Sequence, residues 1–253
     1  MNLPHSLDRV ITIRAPREIV FSFFTDDARW AAWWGAGSTI EPKVGGRVYI
    51  RHPGNVESSG EVLEIRHPSD LVFTYGFNSG KPIPPGASRV SIALEAVGDA
   101  TRLKLTHLFD DIPTRDEHVQ GWRYQLALFS NAVLNLLHAD VESRIDAWFR
   151  IWAEPSGDAR KAALGPVVAE SIAFRDRYSA TDGIDDLSAH IAATHRFMPG
   201  IRLERCGPAR HCQGTAVADW VVIGADGKQL GTGSNVFVLA PDTRIGSVTG
   251  IWG

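Results

Sequence analysis

The stretch Thr106–Gln125, THLFDDIPTRDEHVQGWRYQ, passes from the end of a predicted β-strand into a predicted helix. Leading into this stretch and through its start, Leu103, Leu105, His107 and Phe109 alternate along one side of the strand, and alternation of this kind is typical of a half-buried strand. The apolar neighbours place His107 on the face that looks inward. His107 at this corner could have one of three roles: a catalytic group, a group that lines a cavity, or a buried core residue with satisfied hydrogen bonds. The three alternatives stay open at this point.

The helix after the corner is long and carries one apolar stripe. We expect it to begin in a capping box formed by Thr114 and Glu117. Gly121 is expected to let the helix approach the sheet closely. Neither the helix nor the sheet can bury its apolar face alone, so the helix should lie across a curved sheet, with His107 and Trp122 pointing into the cavity between them. The stripe consists of Val119, Trp122, Leu126, Phe129, Val133, Leu136 and Leu137.

The chain before this stretch supplies the rest of that sheet. Residues 8–14 alternate as a strand, and residues 16–34 predict two short helices, the second capped by Thr25 or Asp26. Residues 41–109 carry antiparallel strands separated by turns rich in Gly, Pro and Asp. The first half is therefore a strand, two short helices, a run of antiparallel strands and one long helix.

Tryptophan is the unusual feature of the composition, with eight in 253 residues. Trp30, Trp33, Trp34 and Trp122 all fall in the first half. Large aromatic side chains bury about 150–250 Å² each, in cores or in apolar pockets. Core packing is the simpler interpretation for any one of them, whereas four together favour a pocket.

The motifs of the first half resemble the activator of heat-shock protein 90 ATPase homologue family. They are IRAPREIVFSFFTD followed by WWG, then VGGRVYI, SGEVLEI, LVFTYGF, TRLKLTHLF and QGWRYQLALFSNAVL, over residues 8–138. The resemblance implies a START-like helix-grip fold with a ligand cavity, and we take Trp34, His107 and Trp122 as its ligand-binding candidates. The positions that match the family's motifs are Trp34, Gly45, Gly46, Gly60, Thr106, His107, Gly121 and Trp122.

The second half has a different pattern, with three helices before a bent antiparallel sheet. The helices are predicted near residues 141–152, 158–164 and 182–197, and the strands around residue 170 and from 199 to the end. Three helices in front of a bent sheet are expected to form a cone-shaped domain. It resembles the nuclear transport factor 2-like superfamily, most closely its SnoaL-like polyketide-cyclase branch, over residues 141–253.

The predicted fold class is therefore α+β, with two domains in sequence. Residues 1–139 form the START-like helix-grip domain, and residues 140–253 form the cone-shaped α+β barrel domain of the nuclear transport factor 2-like type. No Gly, Ser or Pro linker separates them near residues 138–141. We expect only a few residues between the two flanking helices.

The second resemblance implies an acid/base group, Asp or His, buried in the cone, where burial raises the pKa of a carboxyl group toward neutrality. The catalytic candidates are Asp176, His195 and Asp219, and His211 is a further titratable group nearby. Asp219 alternates with apolar residues along a strand, and a solvated carboxylate paired with Arg210 is the alternative interpretation.

Three further residues are predicted to line the cone as ligand-binding groups: Phe197, Trp220 and Asn235. Asn235 stands where the resemblance leads us to expect an acidic residue in the strand after Gly231-Thr232-Gly233. An amide cannot act as a general base near neutral pH, so Asn235 could only orient a carbonyl group by hydrogen bonding.

Other classes of function find no support in the sequence. The spacing of Cys206, His211 and Cys212 lacks the second ligand pair of a zinc site, and no phosphate-binding loop is present, so we predict no metal and no cofactor. The formal net charge of −3 does not favour nucleic acid or anionic membrane as a partner. With no apolar leader and no apolar run near 20 residues, the expected location is the cytoplasm.

The function predicted from the sequence is binding of small hydrophobic molecules, and acid/base turnover of the cyclase or isomerase kind in the second domain stays open. The alternative is a non-enzymatic interaction protein that activates a chaperone ATPase. A homodimer is also expected, because Ala218, Trp220 and Val222 give one strand an apolar face opposite Asp219. The two faces then need two covers, one from the helices of the cone and one from a partner subunit or the first domain.

Overall fold

A computed structural model describes residues 3–253, and they divide into two compact units. The first unit ends at Leu134 and the second is Asn135–Gly253. Each unit has its own β-sheet with helices packed on it, so the chain is a mixed α+β protein with two sheets. The division falls inside the long helix, before the boundary between residues 139 and 140 that the sequence predicts.

The first unit is an antiparallel sheet, in the strand order β1-β7-β6-β5-β4-β3-β2, with the long helix α3 packed on it. A short 3-10 turn, Ser22–Phe24, separates its first two helices. Its elements are β1 (His5–Ile13), α1 (Arg17–Phe21), α2 (Asp27–Trp34), β2 (Thr39–Ile40), β3 (Arg47–Arg51), β4 (Glu57–Arg66), β5 (Asp70–Tyr75), β6 (Ser88–Val97), β7 (Ala100–Phe109) and α3 (Ile112–Leu137).

The start of α3 differs from the prediction. The helix begins at Ile112, and the Asp111 carboxylate accepts hydrogen bonds from the Thr114 backbone N–H and hydroxyl, both at 2.8 Å. The capping box of Thr114 and Glu117 is therefore wrong, because Asp111 satisfies the free N–H groups one turn earlier. Asp111, two residues after the end of the strand, was the better indicator of where the helix begins.

The apolar stripe of α3 is confirmed in its central part. Trp122, Leu126, Phe129 and Val133 are buried, whereas Leu136 is 41% exposed and lies beyond the last residue of the first unit. Gln125, Ser130 and Leu134 are buried as well and widen the stripe.

Two glycines of this unit behave differently from each other. Gly121 is exposed, and a Cβ placed there would have no atom within 4 Å, so the predicted close approach of helix and sheet at this residue is wrong. Gly60, by contrast, lies against the next strand, where a Cβ would come 1.6 Å from the Thr74 carbonyl oxygen. The glycine that the backbone geometry requires is therefore on β4 and not on α3.

The three tryptophans of α2 are all buried. Asp26 caps this helix by accepting a hydrogen bond from the Arg29 backbone N–H at 2.9 Å, as one of the two predicted caps. Trp30 and Trp33 pack on each other at 5.2 Å between ring centroids and belong to the core. Helix α2 therefore contributes mainly packing, and Trp34 at its end lies at the edge of a cavity described below.

The second unit begins with helices and ends with a bent sheet, in the strand order β10-β11-β12-β13-β8-β9. The pairing of β13 with β8 is parallel, and the other pairings are antiparallel. The sequence did not indicate the short strand β9, nor the short strand β2 of the first unit. The elements are α4 (Val141–Trp152), α5 (Gly157–Leu164), β8 (Val168–Arg175), β9 (Ala180–Asp182), α6 (Gly183–Phe197), β10 (Arg202–Cys212), β11 (Thr215–Ile223), β12 (Gln229–Leu239) and β13 (Ile245–Trp252).

The core of the second unit lies between these helices and the inner face of the sheet. On α4, Ile145, Trp148 and Phe149 are buried, as the helical spacing predicts. On β11, Trp220 and its neighbours on the same face are buried, and the other face is half-buried. Within residues 3–253, none of the helices has the length and apolar character needed to cross a membrane.

Candidate functional site

The second unit contains a cavity of about 620 Å³ between α6 and the inner face of the sheet. Its walls are aromatic and its polar side chains are few, which is the usual character of a small-molecule site. Tyr178, Phe197, Met198 and Leu230 are exposed residues that also line it, and they form its rim. The aromatic wall consists of Trp152, Phe174, Trp220 and Trp252, and the polar lining includes Asp176, His190, His195 and Asn235.

Strand register brings two of the polar groups side by side. Asn235 on β12 is paired with Gly250 on β13, and Thr249 is paired with Arg175 at the end of β8, so Gly250 is next to Asp176. A Cβ at Gly250 would lie 3.2 Å from the Asp176 Cβ and 3.3 Å from the Asn235 Oδ1. The carboxamide and the carboxylate therefore flank a glycine that keeps the floor of the cavity open between them.

The Asn235 side chain has a fixed orientation. It is 3% exposed, and its Oδ1 accepts a hydrogen bond from Trp220 Nε1 at 3.0 Å. An indole nitrogen can only donate, so the oxygen must face Trp220 and the NH₂ group must face away from it. No group within residues 3–253 accepts a hydrogen bond from that NH₂, which leaves it as a donor for a ligand carbonyl.

The Asp176 carboxylate is held by three N–H donors. Its Oδ1 accepts hydrogen bonds from the backbone N–H groups of Tyr178 and Ser179, at 2.8 and 2.7 Å. Its Oδ2 accepts one from Trp252 Nε1 at 3.3 Å. The carboxylate thus terminates β8 and closes the turn that follows, and it contributes a negative charge to one end of the cavity.

His190 is a lining residue that the sequence reasoning missed. Its ring lies 5.5 Å from that of Phe174 and 5.8 Å from that of Trp152. Burial lowers the pKa of His190, and the charge of Asp176 partly offsets that effect. The spacing of His190, Thr194 and Phe197 at i, i+4 and i+7 on α6 was the signal that could have found it, because such residues share one face of a helix.

His195 and Asp219 are placed differently from His190. The His195 ring lines the cavity, but its Nε2 donates a hydrogen bond to the Trp152 carbonyl oxygen at 2.7 Å. Asp219 is on the outer face of β11, where the Ser234 hydroxyl donates to its Oδ1 at 2.5 Å and Arg210 lies 3.3 Å away.

The expectation that Asp219 lies inside the cone is therefore wrong, and the alternative pairing with Arg210 is what the structure shows. The physical reason is strand alternation, since Ala218 and Trp220 occupy the inner face. Phe197 is 78% exposed and lies at the rim, whereas Trp220 forms part of the wall. Of the predicted residues, Asp176, His195, Phe197, Trp220 and Asn235 thus meet at one cavity, and Asp219 does not.

The first unit contains a smaller cavity of about 460 Å³ beside α3. Two of the ligand-binding candidates, Trp34 and Trp122, line it, and their rings are 5.7 Å apart in an edge-to-face arrangement. Burial lowers the pKa of both His52 and His118, which are on its wall. The other aromatic lining residues are Tyr75, Phe77 and Tyr124.

His107 lies behind that wall in a hydrogen-bond chain whose direction is fixed. Trp122 Nε1 donates to His107 Nδ1 at 2.9 Å, so the ring proton must be on Nε2, which donates to Ser88 Oγ at 2.8 Å. The Ser88 hydroxyl in turn donates to the Tyr75 carbonyl oxygen at 2.8 Å. His107 has no exposed surface, and burial keeps its pKa well below the usual value. The prediction that His107 points into the cavity is therefore wrong, because both of its ring nitrogens form hydrogen bonds with buried residues of the core.

The two cysteine residues lie at the surface of the second unit. Cys206 and Cys212 are free and exposed. Across residues 3–253, no cluster of three or more His, Cys, Asp or Glu side chains could hold a metal ion.

Comparison with known protein families gives a match to the first unit. A family model described as "Activator of Hsp90 ATPase homolog 1-like protein" matches residues 14–133, so the predicted resemblance of the N-terminal part is confirmed. No curated protein matches the chain.

Several solved structures are similar to about half of the chain. One is a protein of the SnoaL-like family from Agrobacterium tumefaciens, with 23% identity over 47% of this chain and 98% of that one, at a TM-score of 0.43. Another is CalU16 from Micromonospora echinospora, with 26% identity, coverage of 51% and 75%, and a TM-score of 0.43. A third is the Aha1 dimer from Colwellia psychrerythraea, with 19% identity, coverage of 48% and 90%, and a TM-score of 0.41.

Proposed function

We propose that this chain binds small hydrophobic molecules, with the cavity of the second unit as the principal site. The observation that carries the proposal is that cavity of about 620 Å³, whose aromatic wall surrounds a few convergent polar groups. Ligand pockets typically measure about 300–1,000 Å³ and combine an apolar lining with a small number of placed hydrogen-bonding groups.

The ligand that fits is an uncharged molecule with one carbonyl or similar acceptor group. The wall of Trp152, Phe174 and Trp220 offers apolar contact, and the free NH₂ of Asn235 offers one donor. The Asp176 charge next to that donor disfavours an anionic ligand, because like charges repel strongly where water is excluded. Trp34 and Trp122 offer a second, smaller apolar site in the first unit.

The domain assignment is part of the same proposal. Residues 1–139 are a START-like helix-grip domain, supported by the long helix on an antiparallel sheet and by the family-model match. Residues 140–253 are a SnoaL-like domain of the nuclear transport factor 2-like superfamily, supported by three helices followed by a bent sheet around a cavity.

A binding experiment with a matched pair of glycine variants tests the principal site. We use 2-tetralone, a planar bicyclic ketone, and follow the chemical shifts of the indole N–H and side-chain NH₂ signals. Gly250→Ala puts a methyl group between Asp176 and Asn235, and we expect it to weaken binding about tenfold, or roughly 1.4 kcal/mol.

The control is Gly246→Ala on the same strand, where a Cβ would meet the backbone at 3.4 Å and where the cavity is not touched. It should bind the ketone like the wild type. Equal affinities of the two variants, or no saturable shift in the wild type, would contradict the assignment of the site.

The second candidate function is activation of a chaperone ATPase, which the family-model match over residues 14–133 favours. Its test is a measurement of the ATPase rate of a heat-shock protein 90 chaperone with and without the full chain. Stimulation that saturates with added chain would support this second function, and an unchanged ATPase rate would contradict it.

Self-association through the outer face of the second sheet stays a prediction. Val217, Asp219 and Val221 on that face are half-buried in the single chain. Light scattering should give the mass of two chains, and a strict monomer over the micromolar range would contradict a homodimer.

A further inference from the structure

We propose that His190 is the general base of the second cavity, removing a proton from a carbon next to the carbonyl group of the bound ligand. The proposal rests on the binding function above and adds a residue and a reaction class to it. It differs from the expectation that Asp176, His195 or Asp219 supplies the base.

Asp219 and His195 are both engaged in contacts with neighbouring residues. Asp219 is outside the cavity, paired with Arg210 and Ser234. The His195 Nε2–H donates a hydrogen bond to the Trp152 carbonyl oxygen, and this contact holds the ring against the end of α4. Asp219 would have to give up its ion pair to take a proton, whereas His195 keeps only Nδ1 as an acceptor and has its ring fixed by the Nε2 contact.

Asp176 is engaged in the same way. Both oxygens of its carboxylate accept hydrogen bonds, three in total, from two backbone N–H groups and the Trp252 indole. These three donors occupy most of the lone-pair positions of the carboxylate and fix its orientation. Asp176 is therefore placed to act on a neighbour through its charge.

His190 has the opposite character. Its ring lines the cavity, and within residues 3–253 neither ring nitrogen makes a hydrogen bond. Packing against Phe174 and Trp152 favours the neutral imidazole, which is the form that accepts a proton. When the proton arrives, the Asp176 charge stabilises the imidazolium that forms.

The remaining polar group completes the chemistry. As the imidazole lone pair takes the proton, the electron pair of the C–H bond becomes the C=C bond of an enolate. The negative charge appears on the former carbonyl oxygen, which accepts a hydrogen bond from the Asn235 NH₂ group. Return of a proton from His190 to carbon restores the ketone or its isomer, so the step consumes no co-reactant.

The experiment measures exchange of the acidic protons of 2-tetralone for deuterium by proton NMR in D₂O, with the full chain. Wild type should accelerate exchange over buffer, and His190→Gln should lower the enzymatic rate by about 100-fold or more. Binding of the ketone, read from its effect on the indole N–H signals, should change less than about threefold, because Gln keeps most of the side-chain volume.

The matched control is His211→Gln, which changes a half-buried histidine of the same unit outside the cavity. It should exchange at the wild-type rate. As a second variant, His190→Ala should regain exchange when imidazole is added to the solution, a rescue that a merely structural role of the ring would not show.

The outcomes separate the two proposals. Ketone binding with exchange that is slow in wild type, or equally fast in wild type and His190→Gln, overturns the assignment of His190 and leaves the binding function standing. Absence of ketone binding in wild type contradicts the binding function itself, and the assignment of His190 falls with it. Loss of exchange in His190→Gln and rescue of His190→Ala by imidazole support both.

Discussion

Replacing Trp122 by alanine tests the hydrogen-bonded corner on which the first unit is built. Trp122 is 4% exposed, and its indole N–H is the donor that fixes the proton on His107. Removal of a buried aromatic side chain costs about 3–5 kcal/mol through lost burial and the cavity left behind. We expect a loss within that range, since the truncation also leaves the His107 Nδ1 without its donor.

Trp122→Phe separates the two contributions. The phenyl ring keeps most of the packing against Trp34 but has no N–H group, so His107 Nδ1 becomes a buried acceptor without a partner. An unsatisfied buried group of this kind costs about 1–3 kcal/mol. Tyr124→Ala on the same helix is the control, because Tyr124 is 63% exposed and its loss should cost less than about 0.5 kcal/mol.

The assay is thermal unfolding followed by circular dichroism, with urea unfolding as a check. A loss of about 3–5 kcal/mol lowers the melting temperature of a unit of this size by roughly 10–20 °C. A Trp122→Ala variant that melts within a degree or two of the wild type would refute the packing described here. Equal stability of Trp122→Phe and the wild type would refute the role of the indole N–H.

Three more perturbations have expected outcomes. Lowering the pH below about 6.5, the ordinary histidine pKa, should destabilise the first unit, because His107 binds a proton in the unfolded chain but stays neutral when buried in the fold. The free energy of unfolding should fall by about 1.4 kcal/mol per pH unit for each such histidine. A urea midpoint that is flat between pH 7.5 and 5.5 would contradict this prediction. Gly121→Ala should stabilise the chain by up to about 1 kcal/mol in urea unfolding, since the new methyl group meets open space in a helix, and a loss of stability would mean that the helix packs closely there. Gly60→Ala should prevent or severely weaken folding, because its Cβ would overlap the Thr74 carbonyl oxygen, and a variant with the wild-type melting temperature would contradict that register.

Much of the fold was predictable from periodicity and turn chemistry. Alternation in the hairpin 88–109 and the helical stripe of α3 both led to the correct elements, because burial of one face imposes these periods on the sequence. The inward position of His107 followed from the same alternation. Its role did not follow, because only the spatial neighbours Trp122 and Ser88 show that both ring nitrogens are used.

The candidate site was less predictable. Asp176 and Asn235 were chosen from the sequence, but the pairing of β12 with β13 and of β13 with β8 is what brings them to either side of Gly250. Asp219 was a weaker choice, since a carboxylate on an alternating strand faces the side opposite the large apolar residues. His190 was missed although it shares a helix face with Thr194 and Phe197, because helical spacing alone does not distinguish residues that line a cavity from residues of the core.

The most direct test of the central claim is a titration of the full chain with 2-tetralone, read from the Trp220 indole N–H and the Asn235 side-chain NH₂ signals in an NMR spectrum. Both signals should shift together and saturate below millimolar ketone, and Gly250→Ala should weaken the effect while Gly246→Ala does not. Signals that stay unmoved at millimolar ketone would contradict the assignment of this cavity as a binding site for small hydrophobic molecules.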